Sequence, residues 1–179
     1  EIIDHLREFG RPIEPMPNGF QIGMVVERCL DLSRGSLVEQ GIEVVLDCQL
    51  CDEIADGHPL HIEKPLIALL NNAREALLEG APSQPKITVV ATSDGAELAK
   101  IMVSDNGCGL EEEVRDRIFE PFFSTRTAGK NLGLGLSVAR ATVGELEGSL
   151  TLDSDNGWTV ATLLVPLRSL ANAPVKKMS

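Results

Sequence analysis

Positive charge is scarce in this sequence. The 16 Lys and Arg residues face 27 Asp and Glu, for a formal net charge of −11 over 179 residues. A surface of that sign repels phosphate backbones, which excludes nucleic acid and anionic membrane as natural partners. No apolar run approaches the roughly 20 residues that a bilayer crossing requires, and the first residues do not read as a signal peptide. Cysteine is sparse and poorly arranged for a metal. Cys48-Gln49-Leu50-Cys51 is one CxxC pair with no second pair behind it. Tetrahedral zinc needs four ligands, so a site would have to recruit His58 and His61, which open a predicted helix. Free thiols, with Cys29 and Cys108, are the simpler reading. No Gly-x-x-x-x-Gly-Lys-Ser/Thr occurs, which removes the P-loop, and there are no internal repeats or low-complexity tracts.

The residues that are present describe a globular domain. Hydrophobic residues make up 43% of the chain and charged residues 24%, and the length suits one domain with short extensions. Ile2, Ile3, Leu6 and Phe9 have helical spacing, ended by Gly10-Arg11-Pro12. The chain starts at Glu1, without Met, inside that pattern, so we expect a piece of a longer protein. Ile22, Val25, Val26, Cys29, Leu30, Leu32 and Leu37 predict an amphipathic helix over Gln21 to Val38. A second helix is expected over Pro59 to Glu79, with Leu66, Leu69, Leu70, Ala73 and Leu77 buried and Ala68, Asn72, Glu75 and Glu79 on another side. A third runs from Leu134 to Leu146.

Strands are expected over Ile42–Leu50, Lys86–Thr92, Leu98–Ser104, Ser149–Asp153 and Thr159–Val165. Ser93-Asp94-Gly95 and Asp155-Asn156-Gly157 supply hairpin turns. The predicted fold is a two-layer α/β sandwich, with about five strands in a mixed sheet and three main helices on one face.

Three features carry chemistry. Asp105-Asn106-Gly107-Cys108-Gly109 follows a strand. An ionised Asp accepts from the exocyclic amine of adenine but not from the carbonyl of guanine. Gly107 and Gly109 remove side chains where a ring would approach the backbone. Gly133 and Gly135 open the third helix, where exposed N–H groups suit phosphate; a packing role for these glycines is the alternative. Between them, Phe119, Phe122 and Phe123 gather three of the five phenylalanines of a chain that is only 3% aromatic. That cluster is either an anchored lid or a satellite of the core.

Together these features resemble the catalytic domain of bacterial sensor histidine kinases. Leu69-Leu70-Asn71-Asn72-Ala73-Arg74-Glu75-Ala76 looks like the N box, Asp105 to Gly109 the first glycine box, Ile118 to Thr125 the F box and Gly133 to Ser137 the second glycine box. The match spans about residues 19–167, in family order, with a lid at about 110–132. Residues 1–11 resemble the end of the second helix of the dimerisation and phosphoacceptor domain, 12–18 a linker and 168–179 a disordered tail.

The resemblance implies a Bergerat-type ATP-binding fold, shared with gyrase and Hsp90. It implies that Asn72 ligates Mg²⁺ and that Asp105 selects adenine, with Gly107 and Gly109 admitting the ring. Gly133, Leu134, Gly135 and Leu136 would cradle the phosphates of ATP. Phe122, Arg126 and Lys130 would line the site from the lid, and Arg140 is a further candidate for a phosphate contact. Its implied partners are the parent's own dimerisation domain, where the phosphoacceptor histidine would lie, and a response regulator receiver domain. The parent would be a homodimer, cytoplasmic in this part even if membrane-anchored elsewhere.

His5 is followed by Leu6 and matches the tail of the second helix, so no acceptor is assigned within this chain. Ala68 departs from the family's earlier Asn, and from the Glu with which ATPases of this fold activate water, so hydrolysis is not expected as the main activity. Asn131-Leu132 replaces the usual Gly-Thr, Pro65 falls inside the N-box helix, and Glu75 has no assigned role. A protein serine kinase on the same fold and a degenerate binding module stand as alternatives.

Overall fold

The computed structural model describes residues 14–94, 97–124 and 132–168. Its elements run β1 (Phe20–Gln21), α1 (Ile22–Glu39), β2 (Glu43–Cys48), β3 (Ile54–Ala55), α2 (Leu60–Gly80), β4 (Lys86–Asp94), β5 (Leu98–Asp105), α3 (Gly135–Gly144), β6 (Ser149–Asp155) and β7 (Trp158–Pro166), with a 3-10 turn at Glu112–Val114. The main sheet has five strands in the order β2-β4-β5-β7-β6, and β1 and β3 form a separate two-stranded ribbon. Only β2 and β4 pair in parallel; the other neighbours are antiparallel. A parallel pair needs a crossover, and α2 provides it.

Strand alternation divides the two faces of the sheet. Ile87, Val89 and Ala91 on β4, Ala99, Ile101 and Val103 on β5, and Ala161, Leu163 and Val165 on β7 are buried. Their intervening neighbours are only half-buried. The buried face meets Ile22, Val26 and Leu30 of α1, Ile62, Leu66, Leu70 and Leu77 of α2, and Ala139 and Val143 of α3 in one core. Fully burying a side chain such as Leu66 or Ile101 contributes roughly 1.5–3 kcal/mol. The expected α/β sandwich, with its mixed five-stranded sheet and three helices, is the observed one.

Four local expectations change. Leu32, placed in the α1 stripe, is 72% exposed; it follows Leu30 by two residues and so turns off the buried stripe, to the rim of the groove between α1 and α2 beside Leu70 and Arg74. Pro65 neither delays nor breaks α2, which starts at Leu60 and runs through it. Only one helical hydrogen bond is lost there, and the buried ring packs in the core. The β4–β5 strands continue through Ser93 to an Asp94–Leu98 pair, so the reversal comes later than Ser93-Asp94-Gly95. Leu167 packs on the core. Arg168 donates from its backbone to the Ile54 carbonyl (2.7 Å), from Nε to Asp56 Oδ1 (2.6 Å) and from Nη1 to the Asn18 carbonyl (2.7 Å). The helix expected over Ile2 to Phe9 and the tail from residue 169 lie outside the described residues.

Candidate functional site

Asp105 is the last residue of β5 and falls in the inward phase, 5% exposed. Its register partners are Ile87 on β4 and Thr159 on β7, so strands on both sides hold it. The chain then turns back, and the Gly107 N–H donates to Asp105 Oδ1 at 3.0 Å. Thr159, which the sequence reading did not pick out, is 9% exposed, and its Oγ1 is buried without a hydrogen-bond partner. A buried hydroxyl left in that state is costly. Beside an inward-facing carboxylate it suits a polar ligand. Thr159 is the first inward residue of β7, but its position opposite Asp105 depends on the long-range β5–β7 register.

The first glycine turn lies on the end of α2. A Cβ at Gly107 would come within 2.5 Å of the Ala76 carbonyl carbon, and one at Gly80 within 2.5 Å of the Cys108 nitrogen. The Cys108 N–H donates to the Ala76 carbonyl at 3.1 Å. Gly107 is therefore required for packing against the helix. Gly109 is required by its backbone, at φ +80°. Asn106 braces the turn from the other side, accepting from the Lys86 N–H at 2.8 Å and donating to the Gln84 carbonyl at 2.9 Å. The Leu110 N–H bonds Ser154 Oγ at 3.2 Å, which ties the turn to the β6–β7 hairpin.

Asn72 is half-buried on α2, one helical turn before Ala76 and on the same face as the glycine contact. Ala68, another turn earlier, packs against the core and brings no carboxylate. Glu79 lies nearer the glycine turn, its Oε2 3.8 Å from Cys108 Sγ. Glu75 is half-buried, 3.9 Å from Arg74.

The three phenylalanines divide their work. Phe119 packs on the core beneath the Arg140 guanidinium, 4.8 Å from the ring centroid, and Arg117 covers Phe123 at 4.5 Å. Arg140, a sequence candidate for phosphate, is thus placed on an aromatic face. Phe122 is 64% exposed and has φ +66°, a conformation rare outside glycine. Its N–H donates to the Gly133 carbonyl at 3.0 Å, and a Cβ at Gly133 (φ +65°) would come within 2.5 Å of the Phe123 carbonyl oxygen. Phe122 and Phe123 are therefore in backbone contact with Gly133. Arg126, Lys130 and Asn131 lie outside the described residues.

Gly135 begins α3. Leu134 precedes it as the N-cap residue, no side chain caps the helix, and no acid stands in its first turn. A Cβ at Gly135 would meet nothing within 4 Å. An open, uncapped helix start presents N–H groups and the positive end of the helix dipole. Leu136 packs against the core, and α3 lies against α2 and β6.

The cysteine–histidine alternative is not assembled. Burial raises the Cys48 thiol above its ordinary pKa and pushes Cys29 up to about 11, and both are free thiols. His58 and His61 stand at the start of α2. His58 Nδ1 accepts from the Leu60 N–H at 3.2 Å, but His61 is buried and paired with Glu145. Among the described residues no three His, Cys, Asp or Glu side chains are grouped to hold a metal.

A family model described as histidine kinase-, DNA gyrase B- and HSP90-like ATPase matches residues 57–169. The two-component sensor PprA of Pseudomonas aeruginosa is 33% identical over 177 residues, covering 96% of this chain and 19% of PprA. The signal transduction histidine-protein kinase AtoS of Escherichia coli is 29% identical over 98% of this chain and 28% of its own length. The chain thus spans only a fifth to somewhat over a quarter of these relatives. Among solved structures, the catalytic domain of histidine kinase ThkA superposes with a TM-score of 0.73 at 23% identity, covering 86% of this chain and 97% of that domain.

Proposed function

This chain belongs to the family of histidine kinase-, DNA gyrase B- and HSP90-like ATPases, and on that premise we propose that it binds Mg²⁺–ATP and presents the γ-phosphoryl group to a histidine elsewhere in a sensor kinase. The observation that carries this reading is the orphaned Thr159 hydroxyl in register with the buried Asp105 carboxylate. An adenine amine and ring nitrogen would satisfy both groups at once. The open start of α3 at Gly133–Leu134–Gly135–Leu136 fits the phosphates, supplying positive potential in a chain of net charge −11.

Asn72 would ligate Mg²⁺ through its amide oxygen, a hard ligand for a hard ion. When bound, that ion would neutralise phosphate charge, which is most of what phosphoryl transfer asks of a protein. The chain's own residues bind and orient. Asp105 and Thr159 fix the base, α3 holds the phosphates, and the lid carrying Phe122, Arg126 and Lys130 limits water. Ala68 brings no carboxyl to α2 at the position from which ATPases of this fold activate water, and this favours transfer over hydrolysis.

In this reading residues 1–11 end the dimerisation helix, 12–18 link it to a catalytic domain that begins at 19 and includes the docked Arg168, and a tail follows. The partners are the parent's phosphoacceptor domain, in a homodimer, and a receiver domain, with this part cytoplasmic. No described helix is long and apolar enough to cross a membrane.

The test is calorimetric titration with Mg²⁺–ATP, followed by incubation of the full-length parent with γ-labelled ATP. We expect saturable binding and an acid-labile, alkali-stable phosphate on the parent. Absence of ATP binding would reject the reading. Binding with hydrolysis but no phosphohistidine would favour an ATPase.

A further inference from the structure

His61 and Glu145 join the two helices between which the proposed site divides its Mg²⁺ and phosphate contacts. His61 stands in the first turn of α2, only 4% exposed. Its Nε2 lies 3.1 Å from Oε2 of Glu145, the residue that follows α3. The other ring nitrogen is committed, because Nδ1 accepts the His58 backbone N–H at 3.1 Å. A nitrogen that accepts carries no proton, so the neutral ring keeps its proton on Nε2 and donates it to Glu145.

Each partner alone is badly placed. A carboxylate at the C-terminal end of α3 faces the negative end of that helix dipole, and a cationic ring in the first turn of α2 would face a positive one. The neutral-donor, carboxylate-acceptor pairing resolves both conflicts. Gly57 leaves the space the pair needs, since a Cβ there would come within 3.2 Å of His61 Nδ1 and 2.4 Å of Leu146 Cδ2.

We propose that the His61–Glu145 hydrogen bond is a positioning contact, setting the phosphate-facing start of α3 against Asn72 on α2. The proposal rests on the Mg²⁺–ATP reading. A ten-residue helix is a rigid rod roughly 15 Å long. The middle and last turns of α3 are seated in the core by the buried Ala139, Thr142 and Val143, while its first turn is held only by the half-buried Leu136, so a shift at Glu145 tips Gly135 the other way. The contact lies at the ends of both helices remote from the ligand and controls the angle between them. Neither residue touches Asp105 or Thr159, so base recognition on the sheet is independent of it.

That independence supplies the test. Affinities for Mg²⁺–ATP and for adenosine, which lacks phosphates, are measured on the full chain for wild type, Glu145→Ala, Glu145→Gln and His61→Gln. Glu145→Ala is expected to weaken Mg²⁺–ATP about fivefold to tenfold, the size of one net hydrogen bond, and to leave adenosine unchanged. Glu145→Gln keeps an acceptor oxygen and His61→Gln keeps a donor near Nε2, so both recover most of the loss. Long-range ¹H–¹⁵N spectra of the wild type should show the Nε2–H tautomer of His61. Equal weakening for both ligands, no weakening for either, or an Nδ1–H tautomer overturns the positioning role. A wild type that binds neither ligand instead removes the ATP reading on which the role depends.

Discussion

Asp105 and Gly135 stand at opposite ends of the proposed ligand and rest on different supports. Asp105 closes a strand paired on both sides, and its carboxylate is fixed by the Gly107 N–H. Gly135 opens a helix that no described side chain caps, next to Gly133, whose carbonyl accepts the Phe122 N–H. In the proposed reading, the part that discriminates one base from another is built on the sheet, where geometry is held by neighbouring strands. In the same reading, the part that receives the phosphates is built from a helix end, held by fewer neighbouring strands. The difference teaches that selectivity and turnover can be altered separately.

The largest expected effect is at the rigid end. Asp105→Asn keeps an oxygen for the Gly107 N–H but replaces a charged acceptor with one that also donates. We expect nucleotide affinity to fall by about 2–3 kcal/mol, the value of a hydrogen bond to a charged group, with thermal stability little changed. Calorimetry and a melting curve check the two halves. Unchanged affinity would mean that Asp105 does not contact the base, and the comparison would collapse.

Two glycines sharpen it next. Gly107→Ala would force a methyl against the Ala76 backbone, where neither partner can move cheaply. Overpacking of this kind costs about 1–3 kcal/mol, read as a loss in urea denaturation. Gly135→Ala meets open space and gains helix propensity, so we expect stability to rise by about 0.5–1 kcal/mol. The same methyl would crowd the phosphates, weakening Mg²⁺–ATP while leaving adenosine unaffected. If Gly135→Ala destabilised the fold instead, the open cradle would not exist.

Much of this arrangement was legible in the sequence because it is local. The α2 stripe from Leu66 to Leu77 follows the 3.6-residue period, and every predicted member is buried. The Asn156-Gly157 turn, with both residues at positive φ, is a two-residue hairpin signal. What the sequence did not disclose depends on partners far along the chain. Thr159 became a candidate site residue through its register with Asp105. Gly107 has a packing requirement against Ala76 beside its expected role at the ligand. Arg140 found the Phe119 ring, and the burial of His61 followed from the packing of α3 across α2. In the Phe119–Phe123 cluster, Phe119 packs on the core, arginines cover Phe119 and Phe123, and Phe122 is exposed.

Phe122 is the smallest and most direct probe of the Gly135 end. A non-glycine residue at φ +66° carries left-handed strain of roughly 1–2 kcal/mol. Its ring is 64% exposed and so returns little burial. Glycine at this position would release the strain and keep the N–H bond to Gly133, against a larger entropy loss on folding. Phe122→Gly should therefore raise stability by about 0.5–1 kcal/mol, while Phe122→Ala, which keeps the strain and loses only an exposed ring, should leave the melting temperature nearly unchanged. The same pair separates backbone from side chain in function. If the strain exists to present the ring, both variants lower phosphoryl transfer in the full-length parent by similar amounts and leave ATP affinity intact. A destabilised Phe122→Gly would show that the ring carries packing its exposure conceals, and the lid base would then be as firmly built as the strand end at Asp105.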